Sequence, residues 1–195
     1  MTCWIVIPIK APKECKTRLR GVLDDESREG LVAAMLADVI AAARAVPGDM
    51  RVALLGPARP KLPEDMYLLA DPGQGLNAAL TSARNAALTA GVSRILFLSA
   101  DLPHVSADEI MALIDVPTDI IAIAPDGAGT GTNALSLPLP GARNFSPNYG
   151  EASLAAHRAE TVRLGLKLSL IERPGLAFDV DQPADLAGLM PRQID

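Results

Sequence analysis

The segment FDVDQPADL, residues 178–186, holds two carboxylates one residue apart, followed at once by a proline and a helix-like run. In an extended strand, residues two apart point to one face with their Cα atoms about 6.6 Å apart. Asp179 and Asp181 would therefore share a face, with Phe178 and Val180 on the other. Adjacent carboxylates repel unless a cation lies between them, and Mg²⁺ is usually held by one or two carboxylates plus substrate phosphates. The plainer alternative is a strand end that caps a helix, with Asp181 ahead of Pro183 and Asp185 in the first turn. Asp101, at the end of RILFLSAD, is a third carboxylate, and the three together could hold one or two cations. Spacing alone leaves both readings open.

A second cluster lies near the start. Lys10, Lys13, Lys16, Arg18 and Arg20 face a single acid, Glu14, in a chain of formal net charge -5. This is either a solvated basic loop or a polyphosphate site. The acidic total argues against general nucleic-acid binding, which leaves a basic footprint. The run GAGTGTNAL offers backbone N–H groups and the hydroxyls of Thr130 and Thr132, suited to a phosphate or carboxylate or simply to a surface turn. In YGEAS, the amides near Gly150 and the hydroxyl of Ser153 open a helix, where an anion can bind. GQGLNA, residues 73–78, fits the GxGxxG/A dinucleotide fingerprint but lies outside the first strand–helix unit, with Asp101 where a ribose partner would be sought. Gly73 and Gly75 would let the backbone approach a base or ribose closely. His104 and His157 read as surface or structural residues. Cys3 and Cys15 lack metal or redox spacing and read as buried or idle thiols. No GxSxG or Ser/His/Asp set is present.

The elements that must position these groups alternate. CWIVIPI is a buried first strand with a polar, proline-interrupted loop at its carboxyl end. From Ser27 to Ala45, Leu31, Met35, Leu36, Val39, Ile40 and Ala43 recur at helical spacing, with Arg28, Glu29, Asp38 and Arg44 elsewhere. RVALLG and MYLLAD follow as strands, and Leu76 to Ala90 as a helix. Ile95–Ser99 is a strand. SADEIMALID is a helix with Ser106 as N-cap and Glu109 three positions later, a capping box. DIIAIAPD is a strand and NALSLPL a further strand or edge segment. Residues 151–164 read as a helix, KLSLIE and LAFDVD as extended, and PADLAGLM as a final short helix. This order predicts an α/β fold with a largely parallel sheet and helices on both faces. In such sheets ligands sit beyond the carboxyl ends of the strands.

The whole chain is bounded by its 195 residues, 49% hydrophobic and only 3% aromatic, which predict one domain, 1–195, with an aliphatic core. No run is long enough to cross a bilayer, and the start lacks a basic n-region and a long apolar h-region. A cytoplasmic location without membrane partners is the expectation.

IPIK followed by KTRL, then GLNAAL, ADLP, APDGAGTGTNAL and DVDQPADL, in this order along nearly the whole chain, resemble the guanylyltransferases of deazaflavin coenzyme F(420) biosynthesis. The resemblance implies a three-layer α/β/α nucleotide-diphospho-sugar transferase-like (Rossmann-like) fold with a mostly parallel mixed sheet. It also implies transfer of GMP from GTP to a three-carbon phosphorylated acid, phosphoenolpyruvate as first choice with 2-phospho-L-lactate or 3-phospho-D-glycerate as alternatives, with pyrophosphate released. On this likeness Asp101, Asp179 and Asp181 would bind Mg²⁺, and Lys10, Lys16 and Arg18 would face the GTP phosphates. Gly73, Gly75 and Asn77 would hold GTP, and Thr132, Gly150 and Ser153 the phosphorylated acid. The chain departs from the family's Gly-Pro-Gly-Ser at the helix start, where it reads Gly150-Glu151-Ala152-Ser153, and Leu154 stands where an aromatic is frequent. The glycine-rich first loop of molybdenum-cofactor relatives is absent. The implied partners are GTP and a small phosphorylated acid, with a homodimer and hand-over to a downstream transferase left open. Two other functions fit the same residues: a nucleotide-sugar glycosyltransferase using a DxD metal site, and a non-catalytic nucleotide-binding protein.

Overall fold

The computed structural model describes residues 2–189. In chain order the elements are β1 (Thr2–Pro8), α1 (Asp25–Arg44), β2 (Asp49–Leu55), β3 (Tyr67–Leu69), α2 (Leu76–Thr89) and β4 (Arg94–Leu98). After these come α3 (Ala107–Ile114), β5 (Ile120–Pro125), β6 (Thr132–Pro138), α4 (Ser153–Arg163), β7 (Lys167–Leu170) and the one-turn α5 (Pro174–Ala177). The strands form one mixed sheet in the order β3-β2-β1-β4-β6-β5-β7. β1 pairs parallel with β2 and β4, and β6 runs antiparallel to both β4 and β5. Among the described residues no helix is long and apolar enough to cross a membrane.

The alternation of side chains along β1 explains why both faces are covered. Cys3, Ile5 and Ile7 join a core with Met35 and Val39 of α1 and Ile110 and Leu113 of α3. Trp4 and Val6 join the opposite core with Leu80 and Ala83 of α2 and Leu154 of α4. A strand buried on both faces has no polar side to read, so its sequence is a continuous apolar run.

NALSLPL is an interior strand, β6, with all of its residues buried, and not an edge. LAFDVD is not a strand of the sheet. Pro174 starts a helical turn through Ala177, and the chain then runs extended with Val180 N–H donating to the Asp101 carbonyl at 3.3 Å. Pro174 supplies the helical φ, and the missing Cβ of Gly175 lets the turn sit against the Glu109 carboxylate and the His104 carbonyl. The last helix is a 3₁₀ segment, Pro183–Gly188; Met190, expected to end it, lies outside the described residues. Arg28, expected on the polar side of its helix, is completely buried.

β1 is the point where the strand order reverses. The first two crossovers build outward to β2 and β3, and α2 then carries the chain back across β1 to β4 on its other side. The loops after β1 and β4 therefore diverge and leave a crevice between them, the usual ligand site of an open α/β sheet.

Candidate active site

The crevice is a cleft of about 990 Å³. Lys10, Lys16 and Arg18 of the loop after β1, Gly73 and Gly75 ahead of α2, and Asp101 and Asp181 all line it. Gly73 and Gly75 have φ of 74° and 89°, a backbone that side chains rarely adopt, and a Cβ at either would meet nothing within 4 Å. The conformation rather than crowding calls for glycine there. Asp71 holds the turn by accepting the Gly73 N–H at 2.8 Å.

The three sequence-separated carboxylates converge. Oxygens of Asp101, Asp179 and Asp181 all lie within 4.8 Å of one another. Asp101 comes from the loop after β4, and the other two from the extended run after α5. Asp181 does not cap the 3₁₀ segment that follows. Gln182 is its N-cap, and the Asp185 carboxylate accepts the N–H groups of Asp181 and Gln182 at 2.8 and 2.6 Å. That leaves the Asp181 side chain to the cleft, where Arg18 Nη1 lies 3.4 Å away.

Lys16, expected against nucleotide phosphates, reaches into this trio. Its ammonium donates to Asp101 and, at 2.6 Å, to Asp181. Burial alone would lower the lysine pKa, but the two carboxylates outweigh it and hold the pKa above its ordinary value. Lys16 sits with φ 49° and ψ 41°, an unfavourable left-handed backbone for a residue with a Cβ. Asp179 lies deeper. Burial pushes its pKa up, an Asn133 Nδ2 hydrogen bond at 3.1 Å opposes that, and repulsion from Asp101 and Asp181 raises it further. A cluster that draws in an ammonium and still leaves one carboxylate poorly neutralised suits a hard divalent cation, whose preferred ligands are oxygens.

Two arginines that spacing did not single out hold the basic loop in place. Arg28 donates to the Cys15 carbonyl at 2.6 Å and to Asp25 at 2.5 Å, and Arg59 donates to the Lys10 carbonyl. A signal for Arg28 was present: it lies four residues before Val32 and seven before Met35, on the buried stripe of α1. Lys10 is exposed at the cleft. Cys15 donates its S–H to backbone carbonyls of the same loop, and burial pushes the Cys3 thiol up to about 12.

Thr132, Gly150 and Ser153 do not line the cleft. Thr132 begins β6, and its neighbour Asn133 bridges to Asp179. Thr132 Oγ1 and His157 Nδ1 are 3.0 Å apart, and His157 Nε2 accepts the Asn148 N–H at 3.0 Å. An Nε2 that accepts must leave the proton on Nδ1, so the imidazole donates to Thr132 and the hydroxyl hydrogen of Thr132 can point elsewhere. Ser153 is buried at the first position of α4, behind Ala152, whose φ is 53°. Asn77 is turned away from the cleft, with its amide on the backbone of Tyr149. His104 stacks on Phe178 with ring centres 4.9 Å apart and bonds the Gly188 carbonyl at 2.9 Å, a structural role.

Comparison with known proteins agrees with this architecture. A family described as "Guanylyl transferase CofC like" matches residues 3–192. A phosphoenolpyruvate guanylyltransferase of Rubrobacter xylanophilus is 40% identical over 97% of this chain and 94% of its own length. A 2-phospho-L-lactate guanylyltransferase of Halorubrum lacusprofundi is 32% identical over 95% of this chain and 83% of its own. Among solved structures, a nucleotidyl transferase from Methanothermobacter superposes with a TM-score of 0.65 at 14% identity, covering 96% of this chain and 95% of that one. A CMP:2-keto-3-deoxy-manno-octonic acid synthetase solved with CTP gives 0.62 at 14% identity over 96% of both chains.

Proposed function

Because the chain belongs to the CofC-like guanylyl transferase family, we propose that it transfers GMP from GTP to phosphoenolpyruvate, releasing pyrophosphate, as a step of coenzyme F(420) biosynthesis. 2-Phospho-L-lactate and 3-phospho-D-glycerate are the other acceptors of matching chemistry. The observation that carries this reading is the meeting at one cleft of a basic loop with Asp101 and Asp181, which Lys16 joins, and with Asp179 within 4.8 Å of both. The acceptor preference is supported by the name of the Rubrobacter relative.

The chemistry asks for neutralisation and alignment more than for proton transfer. A phosphate monoester has a second pKa near 6 and is largely ionised at neutral pH, so no general base is needed. One of its oxygens attacks the GTP α-phosphorus in line, and the bond from that phosphorus to the bridging oxygen breaks, leaving the electron pair on pyrophosphate. Lys10 and Arg18 hold the triphosphate at the mouth of the cleft. Lys16 follows the charge, leaving the carboxylates for the phosphates as the site loads. Gly73 and Gly75 bring the backbone against the nucleoside, while Thr132, Gly150 and Ser153 bind the acid. Asp101, Asp179 and Asp181 would hold Mg²⁺, which when bound neutralises phosphate charge and fixes the reacting groups. Residues 1–195 act as one nucleotidyltransferase domain.

The test is a pyrophosphate-release assay crossing GTP, ATP, CTP and UTP with the three acids in the presence of Mg²⁺. Turnover is expected with GTP and is greatest with phosphoenolpyruvate. Absence of turnover in every combination overturns the proposal.

A further inference from the structure

Asn77 is the second residue of α2, two positions after Gly75, yet it does not line the main cleft. Leu76 and Ala79, three apart on one helix face, form that wall. The Asn77 side chain instead meets the Tyr149 backbone twice: its Nδ2 donates to the Tyr149 carbonyl at 3.0 Å, and its Oδ1 accepts the Tyr149 N–H at 2.7 Å. One amide thus satisfies both main-chain groups of a residue 72 positions away. Tyr149 also packs edge-on against His157, with ring centres 4.8 Å apart. His157 in turn holds the N–H of Asn148 and the hydroxyl of Thr132. Residues 148 and 149 are therefore pinned from two sides, by α2 and by α4. The next residue is Gly150, at φ 144°, which opens the turn into Ser153.

We infer that Asn77 is a positioning residue of the acceptor side: it sets the chain that presents Gly150 and Ser153 to the phosphorylated acid, and it does not bind the nucleotide. The inference rests on the acceptor assignment proposed above. Its physical basis is that a loop fixed at one point can swing about it, whereas one fixed at consecutive residues by two partners, Asn77 and the buried His157, has a defined amide direction. An Asn amide can satisfy an N–H and a C=O of one residue together. The opening of α2 thereby faces two ways, with glycines toward the nucleotide and Asn77 toward the acceptor loop.

The experiment compares wild type, N77A and the isosteric N77D by three measurements: the KM for phosphoenolpyruvate, the Kd of a fluorescent mant-GTP, and the melting temperature. Removal of two neutral hydrogen bonds is expected to raise the acid KM about tenfold in N77A, with mant-GTP affinity unchanged. N77D keeps only the bond from the Tyr149 N–H and should also raise the acid KM without weakening mant-GTP. Weakened mant-GTP binding with an unchanged acid KM overturns the inference by making Asn77 a nucleotide ligand. Unchanged values for both, or a parallel loss of both that tracks a lowered melting temperature, overturns it as well. Wild-type turnover is the separate check on the underlying reading: if wild type turns over nothing, that reading fails, and calorimetric titration of phosphoenolpyruvate into wild type and N77A then decides the role of Asn77 alone.

Discussion

Lys16 places its ammonium 2.6 Å from a carboxylate oxygen of Asp181, a residue 165 positions later in the chain. The same ammonium binds Asp101, so one positive charge is shared between two of the three clustered carboxylates. A cation entering the trio has to displace it. K16M is therefore expected to bind Mn²⁺ roughly fivefold more tightly than wild type in the absence of nucleotide, the scale of one partly exposed ion pair. Turnover should nevertheless fall about 100-fold, because a charge that stabilises the transferring phosphate is gone. Mn²⁺ electron paramagnetic resonance and pyrophosphate release measure the two effects. Unchanged Mn²⁺ affinity would show that Lys16 and the metal do not compete.

The carboxylates themselves repel one another, and Asp179 shows it in a pKa raised by burial and by its acidic neighbours. D101N and D179N should each lower turnover by about 1000-fold, with the melting temperature of D179N equal to or above that of wild type and that of D101N only slightly lowered by the loss of the Lys16 pair. Asn at position 179 can still accept from Asn133. A melting temperature lowered in step with activity would make these residues structural.

His157 sets a pH dependence of stability. Burial pushes its pKa down from 6.5 to about 4, with Glu160 opposing the shift weakly. The folded state therefore refuses a proton that the unfolded chain accepts. The stabilisation is present above pH 6.5 and is lost as the pH falls towards 4, by up to about 3 kcal/mol. Glu160, held at about 2 by the Arg163 hydrogen bond and by the Ser146 N–H, adds its own loss only below about pH 4.5. Melting curves between pH 4.5 and 7 should show the wild type losing stability and H157N changing less. Parallel curves would remove His157 as the cause.

Arg28 supports the loop that carries Lys16. R28M removes the bond to the Cys15 carbonyl and leaves that acceptor without its charged partner, which should cost about 1–3 kcal/mol. Lys16, already in a left-handed backbone, then loses its nearest support. Turnover in R28M should drop further than the loss of folded protein explains, with R28K between it and wild type. Activity that simply follows the folded fraction in a thermal scan would contradict this role.

Gly175 governs where Asp179 and Asp181 arrive. A Cβ there would strike the Glu109 carboxylate and the His104 carbonyl, and the Gly175 N–H donates to Glu109 at 2.8 Å. G175A should cost about 1–3 kcal/mol, as overpacking does, and should weaken Mn²⁺ binding through displacement of α5. Calorimetric melting with Mn²⁺ titration checks both. Unaltered Mn²⁺ affinity would mean that the carboxylates are placed independently of this turn.

Local pattern was enough for the regular elements that face the core. The capping box of Ser106 and Glu109 forms as its spacing predicts, and the stripe through Met35, Val39 and Ala43 is buried. The extended reading of LAFDVD holds from Phe178 onward and fails at Leu176 and Ala177, because alternation in six residues cannot reveal that Pro174 and Gly175 seat a helical turn against α3. NALSLPL could not be ranked as edge or interior, since that depends on which strands lie beside it.

By itself, the sequence determined the alternating α/β order, the aliphatic two-faced core and the chemical inventory of one basic loop, two glycine-rich turns and three acidic strand or loop ends. These follow from periodicity and residue type, which act over a few neighbours. Only the tertiary structure decided that Lys16 sits on Asp101 and Asp181, that Arg28 reaches the Cys15 carbonyl, and that Asn77 belongs to Tyr149. Each of these pairings joins segments 13 to 165 residues apart. The two longer ones exist because the strand order reverses at β1 and β6 returns antiparallel, bringing distant loops to one end of the sheet.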